Sequence, residues 1–314
     1  MGSAGKSNLI KLLPAVVGFI LLTSLAVVTE GNDVIKTSKK RSTDDGGSLH
    51  VAAFNIQSFG KSKMRKTSVV RHIVRILERY DVVLIQEVKD KGQTSISKLW
   101  RLLNTTTGDD WGMVKSGRLG KSSRYKEQYV FFYRLQVARL AGSYQVPESR
   151  LYAREPFSVQ LDYDSYCEND HDYFYYDGSH CEKTVVLMGL HAQPDQAVSE
   201  LTQLATSIRR VARVFPHADG VVAMGDFNAD CSYASEDERE DLEIFSSRHF
   251  RSLIPDTADT TSGRSDCAYD RVVVYGSDVM VRDAQVYNFR EDLGLSAKVA
   301  AKVSDHYPVE FKLY

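Results

Sequence analysis

Three nearly continuous apolar runs, each followed by polar side chains, constrain most strongly what this chain can fold into. They are Val82 to Ile85, Val185 to Leu190 and Val221 to Met224. A run that is apolar at successive positions indicates a strand buried on both faces, so its sheet must be covered by other layers. The polar residues that follow these strands should meet at the strand ends, where α/β sheets bind their ligands.

Amphipathic helices are predicted between the strands, which indicates an α/β fold. Apolar residues recur at helical spacing from Val69 to Leu77, between a strand at His50 to Ile56 and another at Asp81 to Val88. Further predicted elements are helices near Ser95 to Leu103 and Gln196 to Val214, and strands at Tyr129 to Tyr133 and Pro308 to Leu313. Several strands have the pattern of antiparallel or edge strands, so we expect two packed sheets covered by helices.

The size and charge of the chain limit its function classes. With 314 residues, of which 43% are hydrophobic, it can form one large domain with a sizeable core. Its formal net charge is −1. A globally basic nucleic-acid-binding protein is therefore excluded, and any binding to an anionic polymer must come from a local basic patch or from bound cations.

The N-terminal segment has the pattern of a secretory signal. Lys6 and Lys11 precede an apolar stretch from Leu12 to Val28, in which Ser24 and Ala26 provide a small-residue cleavage pattern. We expect a signal peptide at residues 1–28, a polar flexible leader at 29–48 and the folded domain at 49–314. An uncleaved signal anchor is the alternative. We therefore expect a secreted, extracellular protein with no stable membrane association after cleavage.

Four cysteines in a secreted chain suggest two disulfides, for which three connectivities exist. Proximity in the sequence favours Cys167 with Cys181, and Cys231 with Cys267. Structural zinc is the competing use, but these cysteines lack the close-paired spacing that zinc sites prefer.

Oxygen-bearing side chains at the predicted strand ends indicate a hard-cation site. Glu87, Asp226 and Asp305 are carboxylates beside apolar strands, and Asn55 and Asn228 add amide oxygens of the kind that Mg²⁺ or Ca²⁺ accepts. Any one of them alone could instead be a helix cap or a turn residue. As a set, they favour a divalent-metal site.

Two histidines near the same strand ends suit proton transfer. Because imidazole titrates near neutral pH, one of His191 and His306 can take a proton from water while the other gives one to a leaving oxygen. Glu127 and Asp270 are candidates to orient the two rings, because a carboxylate on the far ring nitrogen selects the tautomer. A lone histidine is more often structural, so the prediction depends on both lying beside the predicted metal ligands.

The segment from Lys115 to Lys126 is locally basic and contains Tyr125. Lysine and arginine side chains that contact phosphate, with a ring against sugar or base, would make it a nucleic-acid contact. A solvated surface loop is the alternative.

From about Leu49 to the C-terminus, the chain resembles the secreted deoxyribonuclease I family of the endonuclease/exonuclease/phosphatase superfamily. The matching segments are Ala52 to Ile56, Leu84 to Val88, Tyr125 to Glu127, Arg154 to Pro156, Met224 to Tyr233, Cys267 to Arg271 and Ser304 to Val309. The resemblance implies a four-layer α/β/β/α sandwich of two mixed sheets flanked by helices. It also implies an endonuclease that hydrolyses DNA to 5′-phosphorylated ends.

The resemblance also implies roles for individual residues. It pairs His191 with Glu127 and His306 with Asp270 for proton transfer. The metal and the scissile phosphate would be held by Asn55, Glu87, Asp226, Asn228 and Asp305. The implied cofactors are Mg²⁺, or Mn²⁺ in its place, and Ca²⁺, with a structural calcium loop at Asp259 and Thr261. DNA would be contacted by Tyr125, Arg154 and Lys89, and Cys231 would form the family's long disulfide with Cys267.

The chain departs from the family pattern at several positions. Lys89 stands where the family has a groove-inserting arginine, so the charge is kept but the planar fork is lost. The family's small disulfide loop is absent, and an acidic, tyrosine-rich insertion from Asp162 to Glu182 is interpreted as a disulfide-tied hairpin. That insertion could be a replacement calcium site or only an acidic surface loop. The segment from Trp111 to Lys115 differs from the family's actin-binding strand, so we do not predict actin binding and expect a monomer.

Two further expectations concern modification and rival functions. Asn104 begins a glycosylation sequon in a predicted loop. The rivals to a DNA endonuclease are another phosphodiesterase or phosphatase of the same fold, acting on a lipid headgroup, and a secreted binding protein that has lost catalysis. The basic segment with Tyr125 favours DNA over the first, and the intact histidines and carboxylates argue against the second.

Overall fold

Two six-stranded sheets pack face to face at the centre of the computed structural model, which describes residues 47–122, 125–166 and 180–314. The first sheet has the order β11-β12-β1-β2-β4-β3 and comprises β1 (Leu49–Phe59), β2 (Val82–Val88), β3 (Trp111–Lys115), β4 (Gln128–Arg134), β11 (Val281–Val286) and β12 (Val309–Leu313). The second has the order β5-β6-β7-β8-β10-β9 and comprises β5 (Ala138–Gln145), β6 (Phe157–Tyr166), β7 (His180–Gly189), β8 (Gly220–Asp226), β9 (Phe250–Ser252) and β10 (Asp270–Tyr275).

Helices cover the outer face of each sheet. The first sheet is covered by α1 (Lys61–Met64), α2 (Thr67–Leu77), α3 (Thr94–Thr107), α7 (Phe289–Asp292) and α8 (Ala297–Val303). The second is covered mainly by α4 (Ala197–Val214) and α6 (Glu243–Ser246), with the short α5 (Glu236–Glu240) before α6. The predicted four-layer α/β/β/α sandwich is confirmed. In the described ranges, no helix is long and apolar enough to cross a membrane.

Strand β1 explains why the apolar runs are continuous. Val51 and Ala53 point into the core between the sheets, whereas Ala52 and Phe54 point into the core under the helices. Successive side chains of a strand point to opposite faces, so a strand with a layer on each side is apolar at every position. The predicted strands and helices lie within one or two residues of the observed bounds, except that β1 runs on to Phe59, α3 runs on to Thr107 and β7 begins already at His180.

The strand register brings the polar ends of both sheets to one edge of the sandwich. β1 and β2 are parallel, with Asn55 beside Gln86, and β7 and β8 are parallel, with Gly189 beside Met224. β12 and β10 enter the same edge antiparallel, so that His306, just before β12, and Asp270, at the start of β10, also lie there. Polar residues from distant parts of the sequence therefore lie together at this edge, where α/β sheets bind their ligands.

Gln86 links the two sheets at this edge. Its Nε2 donates to the Leu190 carbonyl at 2.7 Å, and its Oε1 accepts from the backbone N–H of Asp226 at 3.1 Å. The approach requires Gly225, which has φ +128°, because a Cβ there would lie 2.5 Å from the Leu190 oxygen. The polar end of β2 is thus hydrogen-bonded to the ends of β7 and β8.

The cysteine predictions are met where the structure describes them. Cys231 and Cys267 form a disulfide across 36 residues of sequence. Cys181 is also disulfide-bonded, and its predicted partner, Cys167, lies outside the described residues. The flanks of the insertion form an antiparallel pair, in which Ser165 lies opposite Cys181, so the hairpin prediction is confirmed for the described part.

The loop predicted around Asn104 is wrong, because this residue lies in the last turns of α3. Its Nδ2 donates to the Trp100 carbonyl at 2.7 Å, and its Oδ1 accepts from the backbone N–H of Trp111 at 3.1 Å. The predicted helix ends at Leu103, but Thr105 and Thr107 donate their hydroxyls to carbonyls of the preceding turn and the helix continues to Thr107. Glycosylation at Asn104 stays a prediction.

Candidate active site

Asp226, at the end of β8, is the centre of the polar cluster at the sheet edge. Its Oδ2 lies 3.4 Å from Nε2 of His191 and 3.5 Å from Nε2 of His306. The same oxygen accepts from Nδ2 of Asn55 at 3.0 Å. The carboxylate is 2% exposed. Nε2 of both imidazoles therefore lies close to one buried carboxylate, and these are the nitrogens that would exchange protons with a substrate.

His191 is held from behind by Glu127. Nδ1 of His191 and Oε1 of Glu127 are 2.5 Å apart, and both residues are buried. Burial opposes ionisation of Glu127, but His191 and Arg154 together hold its pKa below the usual range. The ionised carboxylate selects the tautomer with a proton on Nδ1 and leaves Nε2 to act as an acid or a base.

His306 is held by Asp270 in the same manner. Nδ1 of His306 lies 2.7 Å from Oδ2 of Asp270, which is fully buried at the start of β10. Burial alone would lower the pKa of His306, but the carboxylates of Asp270 and Asp226 raise it to about 10. The two carboxylates therefore favour the protonated form of the ring.

Glu87 lies at a bulge at the end of β2, where its backbone has φ +58°. Its Oε2 accepts from the backbone N–H of Ser58 at 2.8 Å and pairs with Nζ of Lys89 at 2.5 Å. Burial opposes its ionisation, but His191 and Lys89 lower its pKa to about 2. A left-handed conformation is costly for a non-glycine residue, and it is common at functional sites because the surrounding contacts hold it there.

Asp305 reaches the cluster from the segment between α8 and β12. Its Oδ2 accepts from Nε2 of Gln57 at 2.7 Å, and its Oδ1 lies 3.9 Å from Nε2 of His306. Ser304 holds this segment in place, because its Oγ donates to the Asn55 carbonyl at 2.6 Å and accepts from the backbone N–H of His306 at 3.2 Å. One half-exposed carboxylate thus lies at the mouth of the site.

Three of the predicted metal ligands, Asn55, Glu87 and Asp226, are in contact with one another through the Asn55 amide. Oδ1 of Asn55 is buried and has no hydrogen-bond partner, while its Nδ2 points to the carboxylates of Glu87 and Asp226 at 3.4 and 3.0 Å. An unpaired buried carbonyl oxygen beside two carboxylates is costly, and a hard cation would satisfy it. Asp226, Asp270 and His306 also offer ligand atoms within 4.8 Å of one another.

Asn228 and the predicted calcium loop lie around this centre. Asn228 has φ +48°, its backbone N–H donates to Oδ1 of Asp226 at 3.1 Å, and its Nδ2 donates to the Ala192 carbonyl at 3.0 Å. Oδ1 of Asp259 accepts from the backbone N–H and from Oγ1 of Thr261, at 2.9 and 2.8 Å. Thr261 pairs with His306 in an isolated bridge, so this loop supports the second histidine.

The three predicted DNA contacts have different environments. Tyr125 is 75% exposed, and Lys89 lies at the rim, where it pairs with Glu87. Arg154 is only 9% exposed: its Nε donates to the His191 carbonyl at 2.8 Å and lies 3.1 Å from Oε1 of Glu127, and its Nη2 donates to the Ala192 carbonyl at 3.0 Å. Tyr125 is therefore free to contact a ligand, whereas Arg154 mainly holds the first histidine pair.

Several residues that support the site were not assigned a role from the sequence. They are Gln57, Lys63, Gln86, Tyr129 and Ser304. The hydroxyl of Tyr129 accepts from the backbone N–H of His191 at 2.8 Å, and Nζ of Lys63 donates to the Val303 carbonyl at 2.7 Å. Burial lowers the pKa of Lys63 to about 8, although Asp305 and Glu87 oppose this. Of these residues, only Gln86 could have been found from the sequence, because a polar residue within an apolar strand indicates a specific hydrogen-bonding role.

Comparison with known proteins places these features in a family. The sequence profile of the Endonuclease/Exonuclease/phosphatase family matches residues 52–306. The chain is 39% identical over 267 residues to deoxyribonuclease-1-like 2 of Mus musculus, an alignment that covers 83% of this chain and 90% of that protein. It is 38% identical over 280 residues to deoxyribonuclease-1 of Bos taurus, covering 85% and 93% respectively.

The fold is also similar to that of solved structures. An endonuclease/exonuclease/phosphatase family protein from Leptotrichia buccalis superimposes with a TM-score of 0.56 at 13% identity, covering 85% of this chain and 99% of that one. At such low identity, the likeness concerns the arrangement of the sheets and helices alone.

Proposed function

Because this chain belongs to the deoxyribonuclease I family of the endonuclease/exonuclease/phosphatase superfamily, we propose that it is a secreted, divalent-metal-dependent endonuclease that hydrolyses DNA to 5′-phosphorylated ends. The observation that carries the proposal is the convergence of the two histidines, each backed by a buried carboxylate, on Oδ2 of Asp226. Hydrolysis of a phosphodiester needs one group that accepts a proton from water and one that protonates the leaving oxygen.

The two histidine pairs divide this work. One imidazole accepts the proton of the attacking water at Nε2, and the other donates a proton at Nε2 to the leaving 3′ oxygen. Glu127 and Asp270 keep the rings oriented, and their negative charge stabilises whichever ring is protonated. Each pair joins the two sheets: His191 follows β7 of the second sheet and Glu127 precedes β4 of the first, whereas His306 precedes β12 of the first and Asp270 begins β10 of the second. Both Nε2 atoms lie within 3.5 Å of Oδ2 of Asp226, so the two groups can act on one phosphate bound there.

The candidate metal ligands are Asn55, Glu87, Asp226, Asn228 and Asp305. A divalent cation bound there would polarise the phosphoryl oxygens and stabilise negative charge on the leaving oxygen. We propose Mg²⁺ or Mn²⁺ for this site and Ca²⁺ for the loop of Asp259 and Thr261. The low pKa of Glu87, about 2, keeps one ligand ionised across the physiological pH range.

Secretion is supported by the N-terminal pattern and by the disulfide chemistry. Disulfides persist in oxidising compartments, and both Cys181 and the Cys231–Cys267 pair are disulfide-bonded. The exposed Tyr125, in a basic loop with Arg118, Lys121 and Lys126, supports a polyanionic substrate rather than a small phosphate ester.

The test is nicking of a supercoiled plasmid by the secreted protein with Mg²⁺ and Ca²⁺. EDTA and His306→Ala should each abolish nicking, and the products should carry 5′-phosphates. His217→Ala is a matched control, because this histidine is exposed between α4 and β8, at the opposite edge of the sheet. If the folded wild-type protein leaves the plasmid intact, the nuclease proposal is wrong, and hydrolysis of a phospholipid headgroup becomes the next assay.

A further inference from the structure

Three exposed lysines surround the turn that follows Glu87, and we name them the lysine flank: Lys61, Lys91 and Lys115. Nζ of Lys61 lies 3.8 Å from the position that a Cβ at Gly92 would occupy. Nζ of Lys115 donates to Oε1 of Gln93 at 2.6 Å. Lys91 is in the turn itself, so three positively charged side chains lie around residues 90–93.

The lysine flank lies on the sheet edge that carries the candidate active site. The backbone N–H of Lys89 donates to the Phe59 carbonyl at 2.8 Å, which joins the turn after β2 to the loop after β1. On the other side, Lys115 lies beside Val130, and Val130 lies beside Ile85 of β2, two residues before Glu87. Lys91 is two residues from Lys89, a Cα distance of at most about 7.6 Å. The flank is therefore adjacent to Glu87.

One carboxylate oxygen lies near these charges, because Oδ1 of Asp90 is 3.7 Å from the same Gly92 Cβ position that Nζ of Lys61 approaches. Within the described ranges, no ion pair involves Lys61, Lys91 or Lys115, whereas other surface cations are paired, as Arg139 is with Asp162. Asp90 is the carboxylate in the turn, but it is buried and accepts from the backbone N–H groups of Gly92 and Ser95 at 3.1 and 2.6 Å. The three lysines therefore place unpaired positive charge beside the acidic candidate site, although the whole chain has a net charge of −1.

We propose that the lysine flank binds the phosphate backbone of duplex DNA beyond the phosphate that is cleaved. This rests on the proposed nuclease function and specifies its substrate as a long duplex. Lys115 begins the basic segment that ends at Lys126, so positive charge continues along the edge from Lys61 to the loop of Tyr125. A surface of this extent is of no use to a small phosphate ester, but a duplex presents phosphates of both strands along it.

The proposal predicts how binding depends on salt. Each neutralised phosphate of B-DNA contributes about −0.9 to the slope of log K against log salt concentration. In a His306→Ala background, which prevents cleavage, Lys61→Gln/Lys91→Gln should reduce the magnitude of the slope by about 1.8. The measurement is fluorescence anisotropy with a labelled duplex of about thirty base pairs, between roughly 50 and 200 mM salt.

Two further variants make the result specific. Lys61→Arg/Lys91→Arg keeps both charges and should keep the slope of the parent. Arg213→Gln/Arg282→Gln removes the same charge from exposed positions at the opposite edge, near the end of α4 and on β11 beside Lys312, and should also leave the slope unchanged. A slope that falls equally in this control would show that only net charge matters, which would overturn the proposal.

The outcome separates this inference from the proposed function. An active enzyme that nicks plasmid DNA, but whose Lys61→Gln/Lys91→Gln variant keeps the parental slope, overturns the lysine flank and leaves the nuclease intact. A wild-type protein that neither binds nor nicks DNA overturns both. A reduced slope in the glutamine variant alone, restored by arginine, supports the flank as a duplex-binding surface.

Discussion

Nδ2 of Asn55, at the end of β1 in the first sheet, donates to Oδ2 of Asp226, at the end of β8 in the second sheet, at 3.0 Å. The two residues are 171 positions apart in the sequence. Their contact closes the sandwich at the edge where both histidines lie, so the geometry of the candidate site depends on how the two sheets pack against each other.

Gln86 should couple stability to activity, because it links the same sheets. In Gln86→Met, the buried Leu190 carbonyl and the Asp226 N–H lose their partners, which should cost roughly 2–6 kcal/mol in the free energy of unfolding. Displacement of Asp226 should also lower kcat. Urea unfolding and plasmid nicking measure the two effects. Full activity in a destabilised variant would contradict the positioning role, and Gln203→Met, in α4, is the control.

Glu87→Gln should abolish metal-dependent stabilisation. A cation that binds only the folded state at a hundred times its Kd stabilises by about 2.7 kcal/mol, so the wild-type Tm should rise as Mg²⁺ is added. The variant keeps the shape of the side chain but loses the charge at the predicted site, so its Tm should not respond. The measurement is thermal unfolding at a series of Mg²⁺ concentrations, and an equal rise in both proteins would remove Glu87 from the site.

Asp270→Asn should show what the carboxylate partner contributes to catalysis while His306 itself is kept. The amide cannot stabilise the imidazolium, so turnover should fall by roughly 10²- to 10⁴-fold in a folded protein. The pKa of His306, raised to about 10 by Asp270 and Asp226 against the effect of burial, should move down in the metal-free variant. NMR titration of the ring follows this pKa. Asp278→Asn, beyond the other end of β10, should change neither quantity.

The Cys231–Cys267 disulfide should stabilise the fold by roughly 2–5 kcal/mol. It spans 36 residues, including β9, and lies close to the turn that leads into Asp270. The Cys231→Ser/Cys267→Ser variant isolates this bond from the one at Cys181, which chemical reduction would also break. Denaturant unfolding of the variant against the oxidised wild type gives the difference, and equal midpoints would refute the prediction.

Glu310, in β12, should make the free energy of unfolding depend on pH in the acid range. Burial opposes its ionisation, but His50, Tyr80 and Arg79 lower its pKa from 4.5 to about 2. The folded-state pKa is depressed, so the stabilisation is present above pH 4.5 and is lost as the pH falls towards 2; it amounts to roughly 3 kcal/mol.

Glu310→Gln tests this prediction. The variant should be less stable than the wild type at neutral pH, and the difference should shrink as the pH is lowered from 4.5 towards 2. Chemical unfolding at several pH values measures it. Glu240→Gln, an exposed position in α5, should show no such pH-dependent difference. A difference that stays constant with pH would assign the effect of Glu310 to packing rather than to charge.

The sequence by itself determined the layers of this protein and the identity of the polar residues at their edge. A strand that is buried on both faces needs an apolar residue at every position, so the runs at Val82 to Ile85 and Val221 to Met224 predict it directly. The helical spacing from Val69 to Leu77 likewise predicts a covering layer. The residue types that follow the strands then indicated metal and proton-transfer chemistry without any knowledge of distances.

Only the tertiary structure decided which atoms meet. Sheet order and register decide three features: His191 and His306 share one Asp226 oxygen, Arg154 is buried behind Glu127, and the lysines of the lysine flank lie together at one edge. These are set by packing between segments far apart in the chain, and local patterns carry no record of them. The extension of α3 past Asn104 also involves a contact that the local pattern does not show, since the Asn104 side chain joins α3 to the start of β3.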